Sequence, residues 1–252
     1  MIIESTRNER VKNAAALFSR KGRLEQGCHL IEGEKLVNEA ILSGAVFKEA
    51  FIEEGHDPMR KALENAGANV FLVTRAVMEK LTFTKTPQYV CASVITPETE
   101  APDVYPAGLI VALDAVSDPG NLGTIIRTAD AFGASGILLG SGCADPFAPK
   151  PVRAAMGSTF HIPVWHGELD RETDKLAEQG FTLVCGHLKG EETPLFPGNK
   201  CAVIIGNESS GVSEGIAMKC FRYRLTMYGR AESLNASVAA GIIIYEFLKA
   251  MR

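Results

Sequence analysis

Apolar and polar residues alternate along this chain with two periods, and the switch between them marks out the elements. Val11, Ala14, Ala15 and Phe18 fall at i, i+3, i+4 and i+7, which predicts an amphipathic helix over 8–20. Cys28–Ile31 then reads as a strand, and Leu36, Val37, Ala40 and Ile41 mark a helix closed by Gly44. Val46–Ile52 predicts a strand, followed by a helix bearing Met59, Ala62, Leu63 and Ala66 and stopped by Gly67. Asn69–Val73 and Tyr89–Ile95 are further strands, with a short helix at Arg75–Leu81 between them. This alternation predicts a small α/β domain over residues 1–95.

Residues 96–106, T-P-E-T-E-A-P-D-V-Y-P, carry three prolines and three carboxylates with little apolar content. Such a run predicts a semi-rigid linker and a domain boundary. The alternation resumes over 107–252. Leu109–Leu113 and Cys201–Ile205 are wholly apolar, as in parallel strands buried on both faces. Between and after them come a helix from about Leu122 to Phe132, a strand at Gly136–Leu139 and a helical stretch near Val152–Met156. Helix Glu168–Gln179, strands Phe181–Cys185 and Arg222–Leu225 and a long closing helix Leu234–Met251 complete the series.

Composition narrows the function classes. The formal net charge is −4, which argues against indiscriminate nucleic-acid binding and leaves room for a local basic patch. Arg7, Arg10, Lys12, Arg20, Lys21 and Arg23 stand against Glu4 and Glu9 in residues 1–24, a net +4 there. These six are candidate RNA contacts; a solvated helix face accounts for them equally well. The six cysteines form no C-x-x-C pair and sit mostly in apolar runs, so they read as buried free thiols. The histidines show no metal-ligand spacing, and no metal is expected. The longest apolar run near an end, Ala239–Tyr245, is too short for a bilayer, and the N-terminus does not resemble a signal peptide. The expected location is cytoplasmic.

Three loops carry the chemistry, each placed where an apolar strand gives way to a turn or helix, the position at which open α/β sheets bind ligands. The first runs Asp118-Pro119-Gly120-Asn121-Leu122-Gly123 and on to Arg127, with Asn121 as a candidate N-cap. The second is Gly206-Asn207-Glu208-Ser209-Ser210-Gly211, in which Glu208, Ser209 or Ser213 could cap the short helix before Met218. The third is Ser233-Leu234-Asn235-Ala236-Ser237, in which Ser233 is a candidate N-cap and Asn235 lies in the first turn. The chain has no G-x-x-x-x-G-K-[ST] loop, and its one G-x-G, Gly140-Ser141-Gly142, lacks the third glycine of a dinucleotide-binding strand-turn-helix.

The segments D-P-G-N-L-G-T-I-I-R-T-A-D-A-F-G, I-G-N-E-S-S-G-V and S-L-N-A-S-V-A-A-G-I-I-I-Y-E resemble, in order and spacing, the three signature motifs of the SpoU (TrmH-type) branch of the SPOUT RNA methyltransferases. V-R-A-A-M-G-S-T-F-H-I-P-V resembles the segment joining the first two. L-I-E-G-E-K-L-V-N-E-A and T-P-Q resemble the family's small, ribosomal-protein-like α/β substrate-binding domain. The resemblance implies a C-terminal α/β domain tied in a deep trefoil knot, pairing of two subunits to complete the site, and S-adenosylmethionine as cofactor. Carried over by motif, Asn121 and Arg127 would face the RNA ribose and phosphate, and Glu208, Ser233 and Asn235 would complete the catalytic constellation. Gly206, Asn207, Leu225, Met227 and Leu234 would form the cofactor pocket. Ser209 stands where the family usually has Gly, and Ala236 where Val is common, yet no functional group is lost.

The function so implied is methyl transfer to a ribose 2′-OH, of ribosomal RNA first and transfer RNA second. A non-catalytic RNA-binding or ribosome-associated protein is the rival from another class. Either Arg127 or Glu208 could accept the ribose proton: the family assigns Arg127, but a free Arg stays protonated in proteins, while a carboxylate is the more ordinary base.

Overall fold

The structure, a computed structural model, describes residues 2–193 and 195–251. It divides into two compact units: Met1–Pro97 with Phe147–Phe160, and Glu98–Pro146 with His161–Arg252.

The first unit begins with β1 (Ile2–Ile3), α1 (Glu9–Ala16), α2 (Arg20–Gln26), β2 (Cys28–Glu32), α3 (Glu34–Leu42) and β3 (Phe47–Glu53). It continues through α4 (Asp57–Asn65), β4 (Asn69–Val73), α5 (Arg75–Leu81) and β5 (Val90–Ile95). The strands form one mixed sheet ordered β1-β4-β3-β5-β2, with β5 antiparallel to both its neighbours. Alternate residues of the central strands feed two cores. One lies under α3 and α4 around Val37, Ile52, Leu63 and Val94; the other lies under α1 and α5 around Val11, Phe51, Met78 and Cys91.

The helix expected over 8–20 stops at Ala16, and a second helix, α2, follows it over residues 20–26. Asn8 caps α1 by accepting from the Arg10 backbone N–H, and Ser19 restarts the chain as α2 by accepting from Gly22 N. The apolar stripe runs on to Phe18, so the periodicity alone gives no stop at Ala16.

Segment 147–160, distant in sequence, completes this unit. It holds α7 (Pro149–Ala155) and a single 3₁₀ turn at Ser158–Phe160, and Val152 joins the core beside Ile31 and Leu36. The ring of buried His29 lies between Phe147 and Phe160, at 4.9 and 6.2 Å. A contiguous split at the proline-rich segment could not anticipate this return of the chain.

The second unit is an all-parallel sheet. Its elements are β6 (Gly108–Leu113), α6 (Pro119–Phe132), β7 (Gly136–Leu139), β8 (Val164–His166), α8 (Leu169–Glu178) and β9 (Thr182–Glu191). After these come β10 (Lys200–Ile205), α9 (Glu214–Ala217), β11 (Phe221–Tyr223) and α10 (Ala236–Ala250). The strand order is β11-β9-β10-β6-β7-β8. β6 and β10 pair in the middle and are buried on both faces, as their unbroken apolar runs require. Cys201 and Cys185 are buried free thiols here; burial pushes the Cys201 thiol up to about 12, while a hydrogen bond from Cys220 lowers Cys185.

Residues 96–106 are not a free spacer. Tyr105 is buried, its hydroxyl donates to Glu172 at 2.7 Å, and the carbonyls of Pro102 and Asp103 accept from Lys175 and Gln179. The single aromatic ring in this polar run anchors it to α8. No helix among the described residues is long and apolar enough to cross a membrane.

Candidate active site

Because β6 and β10 are adjacent and parallel, the loops after them leave the sheet at the same edge. The chain after β6 turns through Ala115, which has φ 56°, and reaches Asp118. Asp118, not Asn121, is the N-cap of α6: its carboxylate accepts from Asn121 N at 2.8 Å, with Pro119 at the first helical position. An acid immediately before a proline is the ordinary start of a helix, and D-P-G-N carries that signal. Freed from capping, the Asn121 carboxamide projects from the first turn.

The second loop closes on itself. Asn207 and Gly211 exchange backbone hydrogen bonds at 3.1 and 2.9 Å. A Cβ on Gly206 would lie 2.1 Å from the Gly211 backbone, so only glycine lets the two limbs approach. The Asn207 side chain donates to the Ala115 carbonyl at 2.8 Å, which ties this loop to the one after β6. Its Oδ1 accepts from both the backbone N–H and the hydroxyl of Ser209, at 2.9 and 2.7 Å. Ser209 therefore takes the place of a glycine without a positive φ. None of the three candidates caps α9 with its side chain: Ser213 is at the N-cap of α9 but makes no side-chain cap bond, and its N–H donates instead to Asp114.

The third loop ends at Asn235, which replaces the expected Ser233 as N-cap of α10. Its Oδ1 accepts from Ser237 N, Ser237 Oγ and Val238 N. Ser233 is exposed and, among the described residues, makes no hydrogen bond. Ala236, the first residue of α10, is buried.

These caps set the polarity of a short chain of amides. Since the Asn235 oxygen faces the helix N–H groups, its amide nitrogen is the end left over, and it donates to Asn121 Oδ1 at 3.0 Å. That turns the Asn121 nitrogen toward Glu208, whose Oε1 accepts at 2.6 Å. A carboxylate that is ionised only accepts, so every member of the series has a compatible partner. Asn121, Glu208 and Asn235, one from each loop, are thus in direct contact.

Arg127 lies two turns into α6, roughly 9 Å along the axis from Asn121. Its side chain is exposed and has no hydrogen-bond or ion-pair partner among the described residues. Leu225 and Met227 are half-buried and Leu234 is 37% exposed. Across residues 225–234, no backbone N–H is bonded to a protein acceptor among the described residues. Unpaired backbone donors beside available apolar side chains fit an adenosine-bearing ligand, in which a flat apolar base carries polar edges.

The six N-terminal basic residues divide. The side chains of Arg7 and Arg20 are exposed without a partner among the described residues, and Lys21 makes only a loose pair with Glu25 at 3.7 Å. Lys12 pairs with Glu9, and Arg10 with Glu49 while its guanidinium lies over Phe71. Arg23 is 7% exposed and donates to the carbonyls of Leu17 and Phe18, at 2.8 and 3.0 Å. Its charge serves the end of α1, so it is not an RNA contact; the helix break that buries it leaves no trace in the apolar pattern.

Comparison with known proteins matches both halves of the chain. The SpoU rRNA methylase family model matches residues 108–245, and the MRM3-like substrate-binding domain matches residues 8–92. A 23S rRNA guanosine 2′-O-methyltransferase of Bacillus subtilis, RlmP, is 38% identical over 96% of this chain and 97% of its own. Among solved structures, an AdoMet-bound rRNA methyltransferase from Sinorhizobium meliloti superposes with a TM-score of 0.91 at 34% identity, covering 99% of this chain and 97% of that one. The SpoU methyltransferase AviRb of Streptomyces viridochromogenes, in complex with AdoMet, gives 0.86 at 28% identity, over 96% and 98% of the two chains. With both halves matched and the three motif loops meeting at one sheet edge, the chain belongs to the SpoU rRNA methylase family.

Proposed function

We propose that this protein transfers the methyl group of S-adenosylmethionine to a ribose 2′-hydroxyl of RNA, with ribosomal RNA the substrate. The observation that carries the reading is the contact series Asn235–Asn121–Glu208, which joins the three motif loops through side chains alone. The relatives named for rRNA methylation support the substrate class.

The cofactor supplies an already activated methyl, so the protein has to position the acceptor oxygen and remove its proton. Leu225, Met227 and Leu234 with the free backbone N–H groups of 225–234 would hold the adenosine, and Gly206 and Asn207 shape the facing loop. Arg127, exposed and unpaired, would hold a substrate phosphate. Glu208, already a hydrogen-bond acceptor, would take the ribose proton, with Asn121 and Asn235 fixing its carboxylate and Ser233 at the edge of the site.

The reading includes a homodimer, the trefoil knot of the C-terminal domain and a cytoplasmic location. Support for the dimer is the stripe Val238, Ile242 and Tyr245 on α10, which is 50, 39 and 49% exposed. An exposed apolar stripe on a closing helix calls for cover. The knot and the location rest on the family. The decisive experiment is a map of 2′-O-methyl sites in total RNA from cells with and without the gene. Loss of one ribosomal site is expected; loss of a transfer-RNA site would reassign the substrate, and no change would refute the function.

A further inference from the structure

The first unit holds an open groove of about 240 Å³, lined wholly by residues of that unit and by none of the three motif loops. Two sequence segments that the methyl-transfer site does not use, E-G-E-K at 32–35 and T-P-Q at 86–88, build it together. Gly33 has φ +96°, and the Gln88 carboxamide lies over it so closely that a Cβ there would be 2.7 Å from Gln88 Oε1. Gln88 Oε1 accepts from Glu34 N at 3.0 Å, substituting for the cap that Gly33 cannot provide to α3. Gln88 Nε2 has no partner among the described residues and remains a donor on the groove lining.

Glu32, on the same lining, accepts from Phe83 N at 3.0 Å and from the Thr84 hydroxyl. Those bonds hold residues 83–84 against the end of β2. They fix Phe83, 62% exposed, with its ring centroid 6.4 Å from that of Phe18. Lys35 and Arg153 also line the groove; both are exposed, and neither has an ion-pair or hydrogen-bond partner among the described residues.

An exposed aromatic face, a carboxylate acceptor, an amide donor and two unpaired cations therefore surround one opening. Each matches a part of a single unpaired nucleotide: the flat base, its hydrogen-bonding edge and the flanking phosphates. We infer that this groove takes an unpaired nucleotide of the RNA substrate, its base stacked on Phe83, its edge met by Glu32 and Gln88, and its phosphates held by Lys35 and Arg153. The inference rests on the proposed RNA methylation. It adds a second contact with the substrate, one that selects single-stranded or looped RNA over regular duplex, whose bases are already stacked and unavailable.

The test measures, on the full chain, the affinity for a fluorescently labelled single-stranded hexanucleotide and for a duplex RNA of equal length. Phe83→Ala should weaken single-strand binding by about 5- to 100-fold, as loss of one stacked base does, and Phe83→Trp should preserve it. Duplex affinity and S-adenosylmethionine affinity should stay unchanged in both variants; an exposed ring can be truncated without unfolding, and the cofactor titration checks that. Lys35→Ala with Arg153→Ala should lower the salt dependence of single-strand binding. Single-strand affinity of Phe83→Ala within twofold of wild type would overturn the site, as would an equal loss toward duplex. Failure of the wild-type chain to methylate any RNA would strike the proposed function instead, since the binding measurement reads the groove without the reaction.

Discussion

Asn121 donates to Glu208 Oε1 at 2.6 Å while accepting from Asn235 at 3.0 Å, so one carboxamide carries the contact between two loops whose backbones are far apart in sequence. The direction of the series is dictated at one end by the N-cap of α10 and satisfied at the other by a carboxylate. A site organised in this way separates structural from functional effects of substitution.

Asn235 makes that separation measurable. Asn235→Ala removes the cap and the link to Asn121 together; it should cost about 1 kcal/mol of stability and most of the activity. Asn235→Asp keeps a capping oxygen for Ser237 and Val238 but sets a second acceptor against Asn121 Oδ1. Thermal unfolding of the Asp variant should stay within about 2–4 °C of wild type, the shift of about 1 kcal/mol in a chain of this size, while methyl transfer falls at least tenfold. Equal activity of Asp and wild type would show that the Asn235–Asn121 bond has no part in the reaction.

Glu208→Gln tests the proton acceptor. The substitution keeps the shape and a carbonyl oxygen for Asn121 yet removes the basic group, so kcat should drop by about 10²- to 10⁴-fold, the range for general-base catalysis. Cofactor affinity should change little, because the pocket residues 225–234 are untouched. Near wild-type turnover by the Gln variant would hand the proton to another group, with Arg127 the one to examine.

Arg127→Lys keeps the charge and loses the planar fork that grips two phosphate oxygens. Because the guanidinium is exposed and partnerless among the described residues, the substitution should leave stability within about 0.5 kcal/mol of wild type, as surface changes do. Activity should nonetheless fall by an order of magnitude or more, chiefly through KM for RNA. An unchanged KM would remove Arg127 from substrate binding.

Where period and punctuation agree, the elements are legible directly: Asn69–Val73, Arg75–Leu81 and Gly136–Leu139 fall where their apolar spacing and flanking residues put them. The three motif loops are likewise visible, since Gly, Asn and Glu at the ends of apolar strands have few other uses. What escapes reading depends on contacts between distant residues. Ser19 starts a second helix just past the apolar stripe and sends Arg23 inward. Tyr105 turns a proline-rich run into packed structure, and segment 147–160 returns to the first unit through Val152. The caps are exchanged for a local reason: propensity rates their neighbours as equal, but it is Asp118 and Asn235 whose non-helical backbone, ψ 121° and 141°, stands directly before the helix and lets the side chain accept its free N–H groups.

The dimer can be tested on α10. Val238, Ile242 and Tyr245 follow each other at i, i+4 and i+7, while the opposite side of the helix is buried through Ala240, Ile244 and Phe247. Light scattering of the wild-type chain at micromolar concentration should give twice the 27.1 kDa chain mass. Val238→Glu with Ile242→Glu should give a folded monomer, since charges on an exposed stripe disturb an interface far more than a core. A wild-type monomer would remove the dimer from the proposal.

The N-terminal charges allow the last prediction, which separates RNA affinity from cofactor affinity. Arg7, Arg20 and Lys21 are exposed and free or loosely paired, whereas Arg10, Lys12 and Arg23 are engaged by the protein itself. Binding of the natural RNA should weaken steeply with salt, and neutralising Arg7, Arg20 and Lys21 together should reduce the slope of log K against log salt by about 0.7–0.9 for each phosphate that is no longer neutralised. S-adenosylmethionine affinity should not move. Arg23→Ala should behave in the opposite sense: it strands two carbonyls at the end of α1, at about 1–3 kcal/mol for each unsatisfied buried group, and leaves the salt slope of the folded protein alone. These substitutions belong in the full chain. A chain begun near Pro106 would leave Phe147, Val152 and Phe160 without the core that covers them, so its loss of activity would not isolate RNA binding. An unaltered salt slope in the triple variant would mean that this face is merely solvated, and the RNA-binding surface would have to be sought elsewhere on the first unit.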